Sequence, residues 1–160
     1  MKLATEVELV QNSALCAFAI WTFVDEFYGE SRNTRGPTIP FVLPVLPMVI
    51  NRETVETLAR RHYLGGLHLA LAENRTLTID LQERMEQMAD LTFASLNIGF
   101  ASKLLSYDSQ RGQLIPADRK SGFHLQGDDV RDILNAARRL GYWFYNTGPD
   151  QLCSMLRIRF

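Results

Sequence analysis

The sequence predicts a mainly α-helical protein with a small β component (α+β), and three patterns support this assignment. Apolar residues recur at helical spacing along most of the chain, with polar residues between them. Polar N-cap residues and glycines stand where several of these segments begin and end. A β-hairpin pattern spans residues 105–115, and an alternating pattern at residues 155–160 predicts a C-terminal β-strand.

The length of 160 residues suits one hydrophobic core rather than two. We therefore expect a single domain over residues 1–160, with a helical N-terminal part (1–75) and a winged-helix-like C-terminal part (76–160). The 46% hydrophobic and 22% charged fractions are those of an ordinary globular protein.

Net charge and cysteine usage predict a cytoplasmic protein with no membrane partner. The formal charge of −1 supplies no global attraction to nucleic acid or to an anionic membrane. Cys16 and Cys153 stand among apolar neighbours, as reduced buried thiols do. The N terminus is too acidic for a signal peptide, and the apolar run 14–24 is too short to span a bilayer.

The first predicted helix begins after an N-cap at Asn12 or Ser13 and ends at Gly29. Its apolar residues wrap most of the circumference, so it is either a central core helix or a helix partly covered by another chain. On the second interpretation, Phe18 and Trp21 are candidate contact residues.

The segment 36–47 is apolar but interrupted by prolines, which exclude a regular central strand. Phe41, Pro44 and Pro47 in this segment are candidate residues for binding another protein. A short helix follows, capped by Asn51 and stopped by Gly65-Gly66.

Three further helices are predicted before the hairpin. They are a short apolar helix at 67–72, an amphipathic helix over 77–88, and a helix over 91–105 capped by Asp90. The hairpin pairs residues 105–107 with 113–115 across a polar, glycine-containing turn. A helix followed by a hairpin is typical of a winged-helix unit.

The last predicted elements are an amphipathic helix over 128–144, capped by Asp128, and the C-terminal strand. Arg138 and Arg139 on this helix are candidate contact residues. The strand places Leu156, Ile158 and Phe160 on one face, where they would pair with the hairpin or add to the sheet edge of another chain.

No catalytic constellation, metal site or cofactor site is predicted. His62, His68 and His124 are not spaced to place two ligands on one helical face. The acidic cluster 128–132 lies in the first turn of a helix, where the helix dipole accounts for carboxylates without a metal. The sequence also lacks a phosphate-binding glycine loop and a nucleophile elbow.

A winged-helix DNA-binding regulator is the alternative function. Its recognition helix, residues 91–105, offers only Asn97 and Lys103 to DNA, so a protein-binding role is the better prediction. Three basic residues in or after the hairpin remain candidates for contact with a nucleic-acid backbone: Arg111, Arg119 and Lys120.

Several segments resemble the middle component proteins of bacterial three-component ABC systems. The run Phe41-Val-Leu-Pro-Val-Leu-Pro-Met-Val-Ile-Asn-Arg-Glu-Thr and the helix Arg139-Leu-Gly-Tyr-Trp-Phe are similar to that family, as are Asn12-Ser-Ala and the closing Met155-Leu-Arg-Ile-Arg. Ser13 stands where the family has proline, and the last three residues differ from its proline-ended tail.

The resemblance implies a small non-catalytic subunit of a prokaryotic antiviral system of the Lamassu type. Its expected partners are an SMC- or Rad50-like ABC ATPase and an effector subunit such as a nuclease. Contact with DNA is expected only within the complex.

Overall fold

A computed structural model describes residues 12–117 and 126–160 of the chain. Helices dominate, and one two-stranded antiparallel sheet accompanies them, which confirms the predicted mainly α (α+β) class. In chain order the elements are α1 (Ser13–Glu30), α2 (Ile39–Val42), α3 (Val45–Val49), α4 (Arg52–Arg60), α5 (Gly66–Glu73), a 3-10 helix (Arg75–Leu77), α6 (Leu81–Gln87), α7 (Ala89–Ala101), β1 (Leu105–Asp108), β2 (Gln113–Pro116), α8 (Asp128–Tyr145) and α9 (Pro149–Leu156).

The first helix starts where the sequence predicts. The Asn12 side chain accepts a hydrogen bond from the Leu15 N–H at 3.0 Å, which satisfies one of the open donors of the first turn. α1 ends at Glu30, one residue beyond the predicted stop at Gly29. The chain turns away through Arg32 and Asn33, both with positive φ. α1 packs against α3, α7, α8 and β2, so most of its apolar circumference is buried within the chain.

The proline-containing segment forms α2 and α3 and no strand, as predicted. Pro40 lies in the first turn of α2, and Pro44 and Pro47 lie at the N-cap and in the first turn of α3. A missing N–H costs little at these positions, because the first turn has no intrahelical acceptor for it. Val42 and the run 45–50 are buried. The segment therefore crosses the core.

The ends of the helices between residues 77 and 105 differ from the predicted ones. The predicted helix over 77–88 is broken by Asp80, whose φ of 55° is left-handed, so a 3-10 turn precedes α6. α7 already begins at Ala89, which places Asp90 in its first turn rather than at its cap. This helix ends at Ala101 instead of Leu105, because Lys103 adopts a φ of 60°. The Asn51 cap of α4 is confirmed, with the Glu53 N–H 2.9 Å from its side-chain oxygen.

The predicted hairpin is present. β1 and β2 pair antiparallel, with Leu105 opposite Pro116 and Asp108 opposite Gln113. The Asp108 side chain accepts hydrogen bonds from the backbone N–H groups of the turn, at 3.0 Å from that of Gln110. Gly112, with a φ of 66°, completes the turn in a left-handed conformation that costs glycine little.

The predicted C-terminal strand is wrong. Residues 149–156 form α9, which begins with Pro149 at its first position and Asp150 in its first turn, both favourable there. The left-handed Arg157 ends the helix, and the Ile158 N–H reaches back to the Cys153 carbonyl at 3.1 Å. The Arg159 N–H donates to the Gln82 side chain at 2.9 Å, so the tail lies along α6.

The large buried cluster draws on both parts of the chain, from Leu15 in α1 to Ile158 in the tail. In the described ranges, none of the helices has the length and apolar character needed to cross a membrane.

Candidate protein-interaction site

An open cavity of about 430 Å³ lies where the end of α1, the loop before α2, β2 and the end of α8 meet. We call it the aromatic cleft. Four aromatic rings dominate its lining, which consists of Phe27, Arg35, Gly36, Thr38, Phe41, Gln113, Phe144, Tyr145 and residues 146–149.

The rings of the aromatic cleft contact one another. The Phe27 ring centroid is 5.8 Å from that of Phe41 and 5.3 Å from that of Tyr145, the latter edge-on at 88°. Phe41 also lies 6.3 Å from Phe144 and 5.7 Å from Phe160. These separations fall in the attractive range for aromatic pairs, so the cleft is a preformed apolar surface.

Arg35 gives the aromatic cleft its charge. Its guanidinium lies 5.3 Å from the centroid of the Tyr145 ring, within cation–π range. Its backbone N–H donates to the Ser31 side chain at 2.9 Å, which fixes the loop that carries it. Among the residues described along this cleft, Arg35 is the one charged side chain, so the site is apolar with one positive end.

The hairpin forms a wall of the aromatic cleft through Gly36. The Gly36 N–H donates to the Gln113 side chain at 3.2 Å, and the Leu114 N–H donates to the Pro37 carbonyl at 2.8 Å. A Cβ atom at residue 36 would lie 1.7 Å from the Leu114 carbonyl oxygen, so only glycine permits this approach.

A second cavity, of about 590 Å³, lies between α5, the 3-10 turn and α9. We call it the basic groove. Apolar side chains form its floor and two arginines flank them, the lining being Leu71, Ala72, Arg75, Thr78, Ile79, Met155 and Arg157.

The predicted contact residues fall into two groups. Phe41 lines the aromatic cleft, Phe160 packs on it, and Trp21 is half-buried with its ring 5.5 Å from that of Phe18. The remaining apolar candidates are buried within the chain itself: Phe18, Pro44, Pro47, Leu156 and Ile158.

The two predicted arginines of α8 have different surroundings. Arg138 is exposed and donates to the Asn135 side chain at 3.4 Å. Arg139 donates from Nε to the Arg61 carbonyl at 2.6 Å and lies over the Tyr63 ring at 5.1 Å. The Trp143 indole N–H, one helical turn on, donates to the Tyr63 carbonyl at 2.7 Å. Arg139 and Trp143 therefore fasten the connection after α4 to α8.

Of the basic residues proposed to contact a nucleic-acid backbone, only Arg111 is in the described part of the chain. It pairs with Asp108 at 3.9 Å and donates to the Thr34 carbonyl at 3.4 Å. Arg119 and Lys120 lie outside the described residues, as does His124.

The aromatic cleft is suited to binding rather than to acid–base chemistry. Its described lining contains no histidine, cysteine or carboxylate, the groups that most often move protons or act as nucleophiles. Across residues 12–117 and 126–160, no group of three or more potential ligands is arranged to hold a metal ion. Burial raises the pKa of the Cys16 thiol to about 11, opposed by a side-chain hydrogen bond with Ser95. This thiol therefore stays protonated and unreactive at neutral pH.

Sequence reasoning missed most of both cavities. Phe27 and Tyr145 are far apart in the chain, and Arg35, Arg75 and Arg157 stand in loops and turns whose spacing carries no periodic signal. Only the tertiary fold brings these residues together.

A family model described as "ABC-three component (ABC-3C) system Middle Component 3" matches residues 1–160 of the chain. No curated protein and no solved structure shows significant similarity to this chain.

Proposed function

Because the chain belongs to the Middle Component 3 family of ABC-three component systems, we propose that it bridges an SMC- or Rad50-like ABC ATPase and an effector subunit such as a nuclease. Membership of this family implies a scaffolding role in a multi-subunit system. The subunit itself is non-enzymatic under this proposal, and its system is an antiviral defence of the Lamassu type that acts in the cytoplasm.

The aromatic cleft is the observation that carries the bridging proposal. It presents the partly exposed rings of Phe41 and Tyr145 together with Arg35, residue types that are enriched at protein interfaces, in a cavity that is already formed. Phe160 beside it is 48% exposed, so part of this aromatic surface faces solvent. A partner segment with an apolar side chain and a carboxylate would match both the rings and Arg35.

Of the other predicted contact residues, Arg138 is exposed and Trp21 is half-buried. We propose that they contribute to a second partner contact, since a bridging subunit must hold two proteins. Under this proposal, the chain contacts DNA only within the assembled complex.

Co-purification tests the proposal. The chain would be co-expressed with the ATPase and the third protein of its system, and the complex isolated through a tag on the ATPase. Phe160→Ala and Arg35→Glu are expected to weaken the complex by about tenfold or more, because they remove an aromatic anchor and reverse the charge of the cleft.

Matched controls are available on other surfaces. Phe93 on α7 is 46% exposed, almost the same as Phe160, so Phe93→Ala should leave the complex intact. Arg52 on α4 is exposed, so Arg52→Glu supplies the same charge change away from the cleft.

The proposal fails if the wild-type chain co-purifies with neither component. A salt-dependent shift of duplex DNA by the isolated chain would instead favour the DNA-binding regulator. Equal effects of Phe160→Ala and Phe93→Ala would leave the bridging role standing and remove the aromatic cleft from it.

A further inference from the structure

Arg75 and Arg157 bring positive charge to a surface that is otherwise mostly apolar. Both are exposed, and they flank the basic groove on opposite elements, the 3-10 turn and the end of α9. Within the described ranges, neither guanidinium has a hydrogen bond or an ion pair. By contrast, Arg61 pairs with Glu73 and Arg131 with Asp128.

The floor of the basic groove is apolar and partly open. Ile79 is 56% exposed, and Leu71 and Met155 are half-buried beside it. The Thr78 hydroxyl donates to the Arg75 carbonyl at 3.3 Å, so its proton is already used within the chain. A cavity of about 590 Å³ has room for one or two large side chains.

The charged residues that line this groove are all positive. Its lining holds two arginines and no acidic residue. Asp80 follows Ile79 in the chain but is not part of the lining, and Glu73 is engaged by Arg61. An occupant that carries carboxylates on both sides of an apolar side chain would meet both guanidiniums, and Arg–carboxylate pairs are strong and geometrically specific.

We propose that the basic groove binds a short acidic segment of a partner subunit, with an apolar side chain seated against Ile79 and Met155 and carboxylates paired with Arg75 and Arg157. This inference rests on the proposed bridging function and assigns it a further docking surface, separate from the aromatic cleft and from Trp21 and Arg138. Charge complementarity favours such a segment over a nucleic-acid backbone, which would gain nothing from the apolar floor.

Charge reversal is the first test, made on the complex of the full chain with its ATPase and third protein. Arg75→Glu/Arg157→Glu is expected to weaken the attachment of one of the two partners by about tenfold or more, because two attractive pairs become repulsive. Ile79→Asp should act in the same direction. The control is Arg52→Glu/Arg60→Glu, which makes the same change of net charge on exposed residues of α4.

Folding and binding can be separated in this test. The two arginines and Ile79 are exposed, so thermal unfolding of the variants should match that of the wild-type chain. If the wild-type complex forms and the groove variants retain it like the controls, the basic groove is not a docking surface, although the bridging role stands. If the wild-type chain binds neither partner, the bridging role itself fails.

Photo-crosslinking identifies the occupant. With p-benzoylphenylalanine in place of Ile79, irradiation of the complex should link the chain to a partner segment that has net negative charge and at least one apolar residue. A link to a basic segment, to nucleic acid or to a second copy of this chain would overturn the proposal. So would a link to residues 1–11 of the same chain, which hold Glu6 and Glu8 among apolar residues and lie outside the described part.

Discussion

Gly141 of α8 lies so close to Phe23 of α1 that a Cβ atom at residue 141 would sit 2.5 Å from the Phe23 carbonyl oxygen. The Glu26 Cβ would be 2.9 Å away and the Phe27 nitrogen 3.2 Å. The neighbouring atoms are mostly backbone, so α1 and α8 can admit a methyl group only by moving apart. The glycine therefore sets the distance between the two long helices.

Gly141→Ala is expected to lower the free energy of unfolding by about 1–3 kcal/mol, the usual cost of overpacking. Alanine gains about 1 kcal/mol in helix propensity, but the backbone contact outweighs that gain. Urea unfolding followed by circular dichroism measures the change. Gly148 is the control, since a Cβ there meets nothing within 4 Å, and Gly148→Ala should cost less than about 1 kcal/mol. Equal stability of the two variants would contradict the close helix contact.

Arg139→Ala should destabilise the chain although Arg138→Ala should not. The first substitution removes the 2.6 Å hydrogen bond to the Arg61 carbonyl and the stacking on Tyr63, at a cost of about 1–3 kcal/mol. The second removes an exposed side chain with a 3.4 Å contact, so a change within about 0.5 kcal/mol is expected. Thermal unfolding of both variants measures the difference in stability loss. A larger loss for Arg138→Ala would show that the roles are reversed.

The two cysteines should differ in reactivity. Cys153 is partly exposed and Cys16 is buried, and burial raises the pKa of Cys16 from 9.0 to about 11. At about pH 8, a thiol-specific reagent should modify Cys153 in the folded protein and reach Cys16 only after unfolding. Mass spectrometry of the modified peptides measures this. Cys153→Ser leaves Cys16 as the one remaining thiol of the chain and supplies the control.

The same shift in pKa gives stability a pH dependence. The raised pKa means that the folded state holds its Cys16 proton more tightly than the unfolded state does. Its contribution to stability is therefore complete below pH 9.0 and is lost as the pH rises through about 11. Urea midpoints across this range should fall more steeply for the wild-type chain than for Cys16→Ala. Parallel curves would show that the thiol does not carry the effect.

Local signals in the sequence predicted local structure well. Asn12 and Asn51 mark helix starts because their side chains bond to the next turn, and the turn after Asp108 specifies the hairpin. The prediction of a C-terminal strand was wrong, and the reason is also local. The start signal of Pro149 and Asp150 outweighed the alternation of residues 155–160, and Arg157 ended the helix in a left-handed conformation.

The candidate surfaces were predicted only in part. The position of Phe41 in the proline-containing segment predicts it, and the position of Phe160 at the end of an alternating run predicts that residue. Their partner Tyr145 comes from the distant end of α8. Such contacts are set by helix packing, which a single sequence does not encode in any short-range pattern. The basic groove depends likewise on the left-handed turns at Asp80 and Arg157.

The hydrogen bond from the Leu114 N–H to the Pro37 carbonyl affects the tendency of the protein to aggregate at high concentration. Strands at the edge of a sheet recruit strands from other molecules through their unpaired N–H and C=O groups. In β2 the Leu114 N–H is already taken by the Pro37 carbonyl, and Pro116 has no N–H to give. Growth of the sheet by addition of foreign strands is thus disfavoured on the β2 side, so the hairpin cannot act as a two-sided template for fibre formation.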